Sequence, residues 1–339
     1  MDESDFAARA ENWLLGLRAT FQENAGSVFY AGKAFLSVEI AKAIAKLGLN
    51  LDVCTGGELA VAVAAKFPPA RIEMHGNNKS EKEIEAALEY GIATIVLDSL
   101  HEIERVARLA KARNLTQKVL IRLNPGVEAH THEYITTAIE DVKFGFSIAS
   151  GAAWEAVQLI LKSPNLKLVG VHSHIGSQIF TSAAFDATAV KLLEFMKRYR
   201  DEFNAELPEL IIGGGFGITY VEGDESIEIA TLLSQINQVV IENCKLSGLS
   251  IPKVSIEPGR AIVGPAMVTL YTVGTTKEVA LETGMKRLYV SVDGGMSDNI
   301  RTSLYGAEYT VRLANRNSDR KSTRLNSSHV SESRMPSSA

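Results

Sequence analysis

Lys167-Leu168-Val169-Gly170-Val171-His172-Ser173-His174 is an apolar run that turns polar only at its end. A strand with one wet face alternates apolar and polar residues. A continuous run has both faces buried, the condition inside a parallel sheet covered by helices. Seven more runs read the same way, at 28–33, 51–54, 71–75, 94–98, 119–123, 209–213 and 253–257. Helical patterns separate them, at 37–47, 57–66, 81–90, 100–113, 153–161, 185–203 and 227–246, after an amphipathic opening at 6–22. Eight strands, each paired with a helix, predict an α/β fold: a closed (β/α)8 TIM barrel over residues 1–257. An open doubly wound sheet competes, but it usually has fewer strands and one dominant glycine fingerprint.

Polar residues gather where such a barrel keeps its active site. Lys33, Asp52, His75, Asp98, Asn124, His174, Gly213 and Glu257 each fall at or near the C-terminal end of a run, the rim on which barrel sites are built. Past Arg260 the period changes. Residues 261–273, 287–293 and 305–313 read as strands without intervening helices, so a partial β-rich domain is expected over 258–318.

Composition excludes several classes. The 35 basic residues against 40 acidic ones leave a net charge of −5 with no basic cluster, so no nucleic-acid surface is expected. No run approaches the roughly 20 apolar residues of a membrane helix, and the acidic start Met1-Asp2-Glu3-Ser4-Asp5 is not a signal peptide. Two cysteines, Cys54 and Cys244, make no disulfide framework. They read as small buried hydrophobes in a cytoplasmic protein. From Asp319 the text turns polar and aperiodic. Asp319–His329 matches the translation of a common short-read sequencing adapter, so 319–339 are expected to be foreign, disordered sequence.

Five stretches carry the chemistry, in order: Tyr30-Ala31-Gly32-Lys33-Ala34, His172-Ser173-His174-Ile175-Gly176-Ser177-Gln178, Gly213-Gly214-Gly215, Glu257-Pro258-Gly259-Arg260 and Asp293-Gly294-Gly295-Met296. Lys33 stands at the mouth of an apolar barrel. Desolvation there is expected to depress its pKa and prepare the amine for an aldehyde. A glycine run alone marks only a tight turn. After the seventh strand, however, its exposed N–H groups suit a phosphate. Glu257 suits a pyridine nitrogen, which it would keep protonated; the plainer reading is a buried pair with Arg260. His172 and His174 share a strand face. With His75 they also fit a metal, but Asp98 and Glu257 look poorly placed to complete the set, and His130 and His132 fall in a loop. No metal is expected. His174 reads as a ring stacked on a cofactor and His172 as a packed neighbour. Arg260, Arg301 and Tyr305 are candidate clamps for a substrate carboxylate, with surface ion pairs as the alternative. The ordered set is the equipment for pyridoxal 5'-phosphate.

With these residues in hand, the chain resembles the diaminopimelate decarboxylase family, among the alanine-racemase-like (fold type III) pyridoxal-phosphate decarboxylases. The likeness covers 1–318 and takes in Asp52-Val53-Cys54-Thr55-Gly56-Gly57-Glu58-Leu59, Gly76-Asn77-Asn78-Lys79-Ser80, Lys143-Phe144-Gly145 and Asp298-Asn299-Ile300-Arg301-Thr302-Ser303-Leu304-Tyr305. His174-Ile175-Gly176-Ser177-Gln178 and Arg301 point to this family rather than to ornithine or arginine decarboxylases.

The resemblance implies decarboxylation of meso-2,6-diaminopimelate to L-lysine and CO2. Lys33 becomes the Schiff-base lysine and His174 the stacking residue, both catalytic. Asp52, Ser177, Gly213, Gly214, Gly215, Glu257, Gly259 and Arg260 become further cofactor contacts, and Arg260, Arg301 and Tyr305 substrate contacts. It also implies a homodimer for the full-length protein, a Cys-Glu-Ser-Gly-Asp motif and a tyrosine beyond Ser318, and a strand ahead of Met1. On that reading this chain is a shortened form that binds cofactor, turns over poorly and exposes strand edges prone to aggregation. The alternatives are a non-catalytic cofactor-binding barrel, another fold type III decarboxylase or racemase, and a metal-dependent barrel hydrolase.

Overall fold

The computed structural model describes residues 1–127, 143–224, 227–281 and 286–315. His130, His132, Ser318 and the tail 319–339 lie outside the described residues. By contact, the chain forms two compact units, Met1–Ile218 with Glu225–Ala266, and Thr219–Asp224 with the residues from 267 onward.

In the first unit α1 (Glu3–Phe21) leads into β1 (Ala25–Ala31), α2 (Val38–Leu47), β2 (Asn50–Val53), α3 (Gly56–Ala64) and β3 (Ile72–Met74). Next come α4 (Glu81–Tyr90), β4 (Thr94–Leu97), α5 (Leu100–Ala112), β5 (Gln117–Asn124), β6 (Phe146–Ser147) and α6 (Ala152–Leu161). The unit continues with β7 (Leu166–His172), α7 (Ala183–Phe203), β8 (Glu209–Ile211), α8 (Ile229–Ser247), β9 (Lys253–Ile256) and α9 (Arg260–Val263). The sheet runs β4-β3-β2-β1-β9-β8-β7-β5-β6, and a further β4–β5 pairing closes it. Every one of these pairings is parallel. Leaving out β6, a two-residue appendage on β5, the result is the expected eight-stranded barrel. Among the described residues no helix is long and apolar enough to cross a membrane.

Local chemistry sets where each helix begins, and so holds each strand end at the rim. Thr55 with Glu58 and Ser80 with Glu83 form complete capping boxes for α3 and α4, and Ser99 caps α5. Each such cap is worth about 1 kcal/mol. Phe29, Val96, Leu120, Val169 and Ile211, from five strands, form a buried apolar cluster. The strands stop slightly earlier than the sequence suggests, β1 at Ala31, β7 at His172, β8 at Ile211 and β9 at Ile256. Lys33, His174, Gly213 and Glu257 therefore sit on the turns just past them.

Two expected strands are not formed. Residues 260–263 make the helical turn α9 instead, its first carbonyl, on Gly259, accepting from the Ile262 and Val263 N–H groups. Gly264-Pro265 follows, and proline has no N–H to give a ladder; β10 begins only at Val273. The stretch 305–313 forms no strand and follows the short α10 (Arg301–Leu304). Among the described residues, the second unit's sheet is a single antiparallel pair, β10 (Val273–Ala280) with β11 (Lys286–Val292). Cys244 is buried as expected, but Cys54 is only partly so, and its thiol lies 3.5 Å from Asp52 Oδ1.

Candidate active site

Lys33 lies in a tight helical turn just past β1, and its ammonium pairs with the Asp52 carboxylate near the end of β2. Asp52 is fully buried, while two-fifths of the lysine side chain (42%) faces solvent. Desolvation works against the lysine charge, but Asp52, with smaller help from Glu257, outweighs it and raises the pKa. The expected depression is therefore corrected in sign. The sequence shows a lone lysine in an apolar mouth, whereas the fold sets a carboxylate against it.

Behind this pair lies a buried acid–imidazole network. His75 Nε2 is 3.0 Å from Glu73 Oε1, 3.5 Å from Glu257 Oε1 and 3.8 Å from Asp52 Oδ1. His172 Nε2 stands 2.9 Å from Glu257 Oε1, and the two imidazoles meet edge to face with centroids 4.8 Å apart. Glu257 thus pairs with two histidines. Burial alone would raise its pKa, but His172 and His75 dominate and hold it well below the carboxylate range. The magnitudes allow this: opposite charges 4 Å apart gain about 4 kcal/mol at an effective dielectric of 20, similar to the effective cost of burying one ion. His172, expected to be a packed neighbour, is a partner of Glu257. The same trio brings three donor atoms within 4.8 Å of one another, so Glu257 is better placed beside the histidines than the sequence suggests. These atoms already lie against one another, and His75 Nε2 also faces Glu73 and Asp52.

His174 follows β7. The Gly214 N–H donates to its Nδ1 at 3.3 Å, which puts the proton of the neutral ring on Nε2. Burial first, then the charges of Lys33 and Arg122, lower its pKa to about 3. The glycine run is required by close approach. A Cβ on Gly213 would stand 2.3 Å from the Ser173 carbonyl, on Gly214 2.2 Å from the Glu257 carbonyl, and on Gly215 2.2 Å from the Gly176 carbonyl. Ile179, just past Ser177, donates its N–H to the Gly215 carbonyl at 3.0 Å. Gln178 brackets Ile218 through both ends of its amide. Gly259 lies against Ala31, bringing the start of α9, where Arg260 sits, to the end of β1.

Lys33, Asp52, His174, Gly213–Gly215 and Glu257 are thus brought together. Arg301 and Tyr305 belong to the second unit, where the guanidinium lies 5.1 Å from the phenol ring centroid. Three buried ionisable residues had no role assigned from the sequence. Glu73 lies at the centre of β3. Arg122 on β5 lies 3.9 Å from Asp98 Oδ1 and 4.6 Å from the Phe144 ring centroid. Lys79 pairs with Glu102 at 2.6 Å. Glu73 and Arg122 leave a usable signal, a charge inside a run otherwise apolar on both faces. A shallow depression on α7, lined by Glu194, Lys197, Arg198, Asp201 and Glu202, shares no residue with this site and holds only surface charges.

The donor set suits pyridoxal phosphate. An amine waits at the mouth for the aldehyde, an ionised carboxylate is available for a ring nitrogen, a neutral imidazole for a ring face, and a glycine loop that excludes side chains for a phosphate. The comparisons agree. Residues 4–264 match the family model "Pyridoxal-dependent decarboxylase, pyridoxal binding domain". Diaminopimelate decarboxylase of Mycobacterium tuberculosis is 50% identical over 323 residues, covering 94% of this chain and 71% of the relative. That of Bacillus subtilis is 48% identical over 289 residues, covering 85% and 65%. Among solved structures, the M. jannaschii diaminopimelate decarboxylase in co-complex with L-lysine superposes with a TM-score of 0.81 at 31% identity, over 91% of this chain and 70% of that one. The Helicobacter pylori enzyme complexed with L-lysine gives 0.78 at 29%, over 91% and 74%. The barrel, its rim chemistry and these likenesses agree, and the chain belongs to the diaminopimelate decarboxylase family of pyridoxal-phosphate enzymes.

Proposed function

We propose that this chain decarboxylates meso-2,6-diaminopimelate to L-lysine and CO2, using the site around Lys33. The observation that carries the reading is the imidazole-flanked Glu257 in the same barrel mouth as the Lys33–Asp52 pair. Bound there, pyridoxal phosphate supplies an aldehyde for an amino group and a ring that accepts the electron pair left behind by CO2. Lys33 would hold the aldehyde carbon and Glu257 the ring nitrogen. His174 would cover a ring face, and Gly213–Gly215, Ser177, Gly259 and Arg260 would hold the phosphate end.

An attacking amine must be neutral, and Lys33 starts as a stabilised ammonium. Asp52, fully buried against it, is the group that holds the ammonium at the mouth until the aldehyde arrives. Glu257 meets growing charge with a field already in place, so no reorganisation is needed during reaction. The substrate is an amino acid with two carboxylates. Arg260, Arg301 and Tyr305 are proposed to hold the one that stays, as planar forks suit carboxylates. The two relatives complexed with L-lysine support a ligand of this class. Division into a barrel at 1–257 and a β domain at 258–318, a homodimer for the full-length protein and a cytoplasmic location complete the proposal.

Borohydride reduction of the purified chain with added cofactor, then peptide mass mapping, tests the site. The expected result is a pyridoxyl adduct on Lys33, lost in Lys33→Ala. Supplying meso-diaminopimelate should then release L-lysine. A chain shown folded by circular dichroism that gives no adduct would overturn the assignment.

A further inference from the structure

Glu73 is fully buried at the centre of β3. Its Oε1 lies 3.0 Å from His75 Nε2, the nitrogen that also stands 3.5 Å from Glu257 Oε1, and its Oε2 accepts from Thr94 Oγ1 at 3.4 Å. The titratable groups around it are Asp52 from β2, His75 on its own strand, His172 from β7, Glu209 from β8 and Glu257 after β9, with Lys33 beyond Asp52. From β4 the Thr94 hydroxyl donates to it.

One imidazole nitrogen, His75 Nε2, therefore faces three carboxyl groups with at most one proton to give. Lys33 answers Asp52, and His172 answers Glu257. Among the described residues no lysine or arginine pairs with Glu73. A buried carboxylate lacking both water and a cation takes up a proton instead of staying charged. Carboxyl groups crowded around one imidazole nitrogen favour a shared proton for the same reason.

We propose that Glu73 is carried through the neutral pH range as the uncharged acid, its proton held against Glu257, and so positions Glu257 as the charged carboxylate of the site. Burial, then repulsion from Glu257 and Asp52, pushes Glu73 well above the usual carboxylate range. The part concerning Glu257 and the cofactor rests on the functional reading above; the protonation state does not.

Infrared difference spectra at neutral pH compare the wild-type chain with Glu73→Gln and Glu73→Met, each checked for folding by circular dichroism. The wild type is expected to show the carbonyl stretch of a protonated carboxylic acid, lost in both variants. If neither substitution removes such a band, the proposal is overturned. The second readout is the pH titration of the bound cofactor's visible absorbance. Gln keeps a donor toward Glu257 and should leave the wild-type midpoint in place. Met keeps the bulk without the donor and should move the midpoint by about one pH unit, a tenfold change in proton affinity. A shifted Gln variant, or an unshifted Met variant, overturns the positioning role. A wild-type chain that takes up no cofactor would sink the functional reading, while the infrared band would still decide the state of Glu73.

Discussion

His174 and its neighbours set how the folded chain responds to acid. The His174 pKa is about 3 in the folded state, against about 6.5 in an unfolded chain. As pH falls below 6.5, the unfolded state takes up a proton that the folded state refuses. Stability is thus full above pH 6.5 and falls toward pH 3, by up to about 1.4 kcal/mol per pH unit. His75 is pushed down chiefly by burial and steepens the slope. Glu257, depressed by its histidines, adds to it once pH drops through the carboxylate range. Glu73 acts in the opposite sense: its raised pKa makes its contribution fullest in acid and weaker as pH rises. Urea midpoints of wild type at pH 7 and pH 5 should therefore differ clearly, and His174→Gln should flatten the difference. Equal slopes for the two proteins would show that this imidazole is not the acid-sensitive group.

At the level of elements, buried charge and close glycine packing hold the loops of the rim. Lys79 Nζ donates to the Gly76 and Val96 carbonyls at 2.5 and 2.8 Å and pairs with Glu102, tying the turn after β3 to β4 and α5. Lys79→Met strands a buried carboxylate and should cost about 3–5 kcal/mol in urea unfolding. Lys42→Met breaks only an exposed pair with Glu39 and should stay within about 0.5 kcal/mol. Comparable losses would mean the Lys79 pair is not an anchor. Gly214→Ala drives a Cβ against the Glu257 carbonyl. It should cost about 1–3 kcal/mol by overpacking and weaken cofactor uptake measured by absorbance; unchanged uptake would argue against a tight loop. These elements also mark what the sequence reveals. Lys33, His174, the glycines and Glu257 stand out because both-face burial makes each parallel strand an unbroken apolar run, and a polar residue just past it is conspicuous. Glu73 and Arg122 are harder to read. Each is a charge inside such a run, and its meaning depends on partners brought in from other strands. The sign of the Lys33 shift was hidden for the same reason, because Asp52 reaches it only through the β1–β2 pairing.

For the whole molecule, the two units differ in how much apolar surface each removes from water. In the first, residues such as Leu120, Ile121, Leu210 and Ile256 are fully buried, and a closed barrel has no free strand edge. In the second, β10 and β11 are exposed along nearly their whole length, and Leu270, Leu288 and Val268 are among its exposed large side chains. A two-stranded pair is marginal in water at best, and an open apolar edge invites pairing with another chain. The run 261–273 misled the sequence reading here, because apolar residues that finish the barrel look like the start of a sheet. The physical consequence is unequal local stability. Leu120→Ala in the barrel should cost about 2–5 kcal/mol, whereas Leu288→Ala, already 59% exposed, should cost about 0.5 kcal/mol or less. Limited proteolysis reads the same contrast without substitutions. The first cuts among the described residues should fall after Ala266, leaving a resistant barrel fragment that still forms the Lys33 adduct. Early cleavage inside α2 to α8, with β10 and β11 intact, would show that the barrel is the weaker unit.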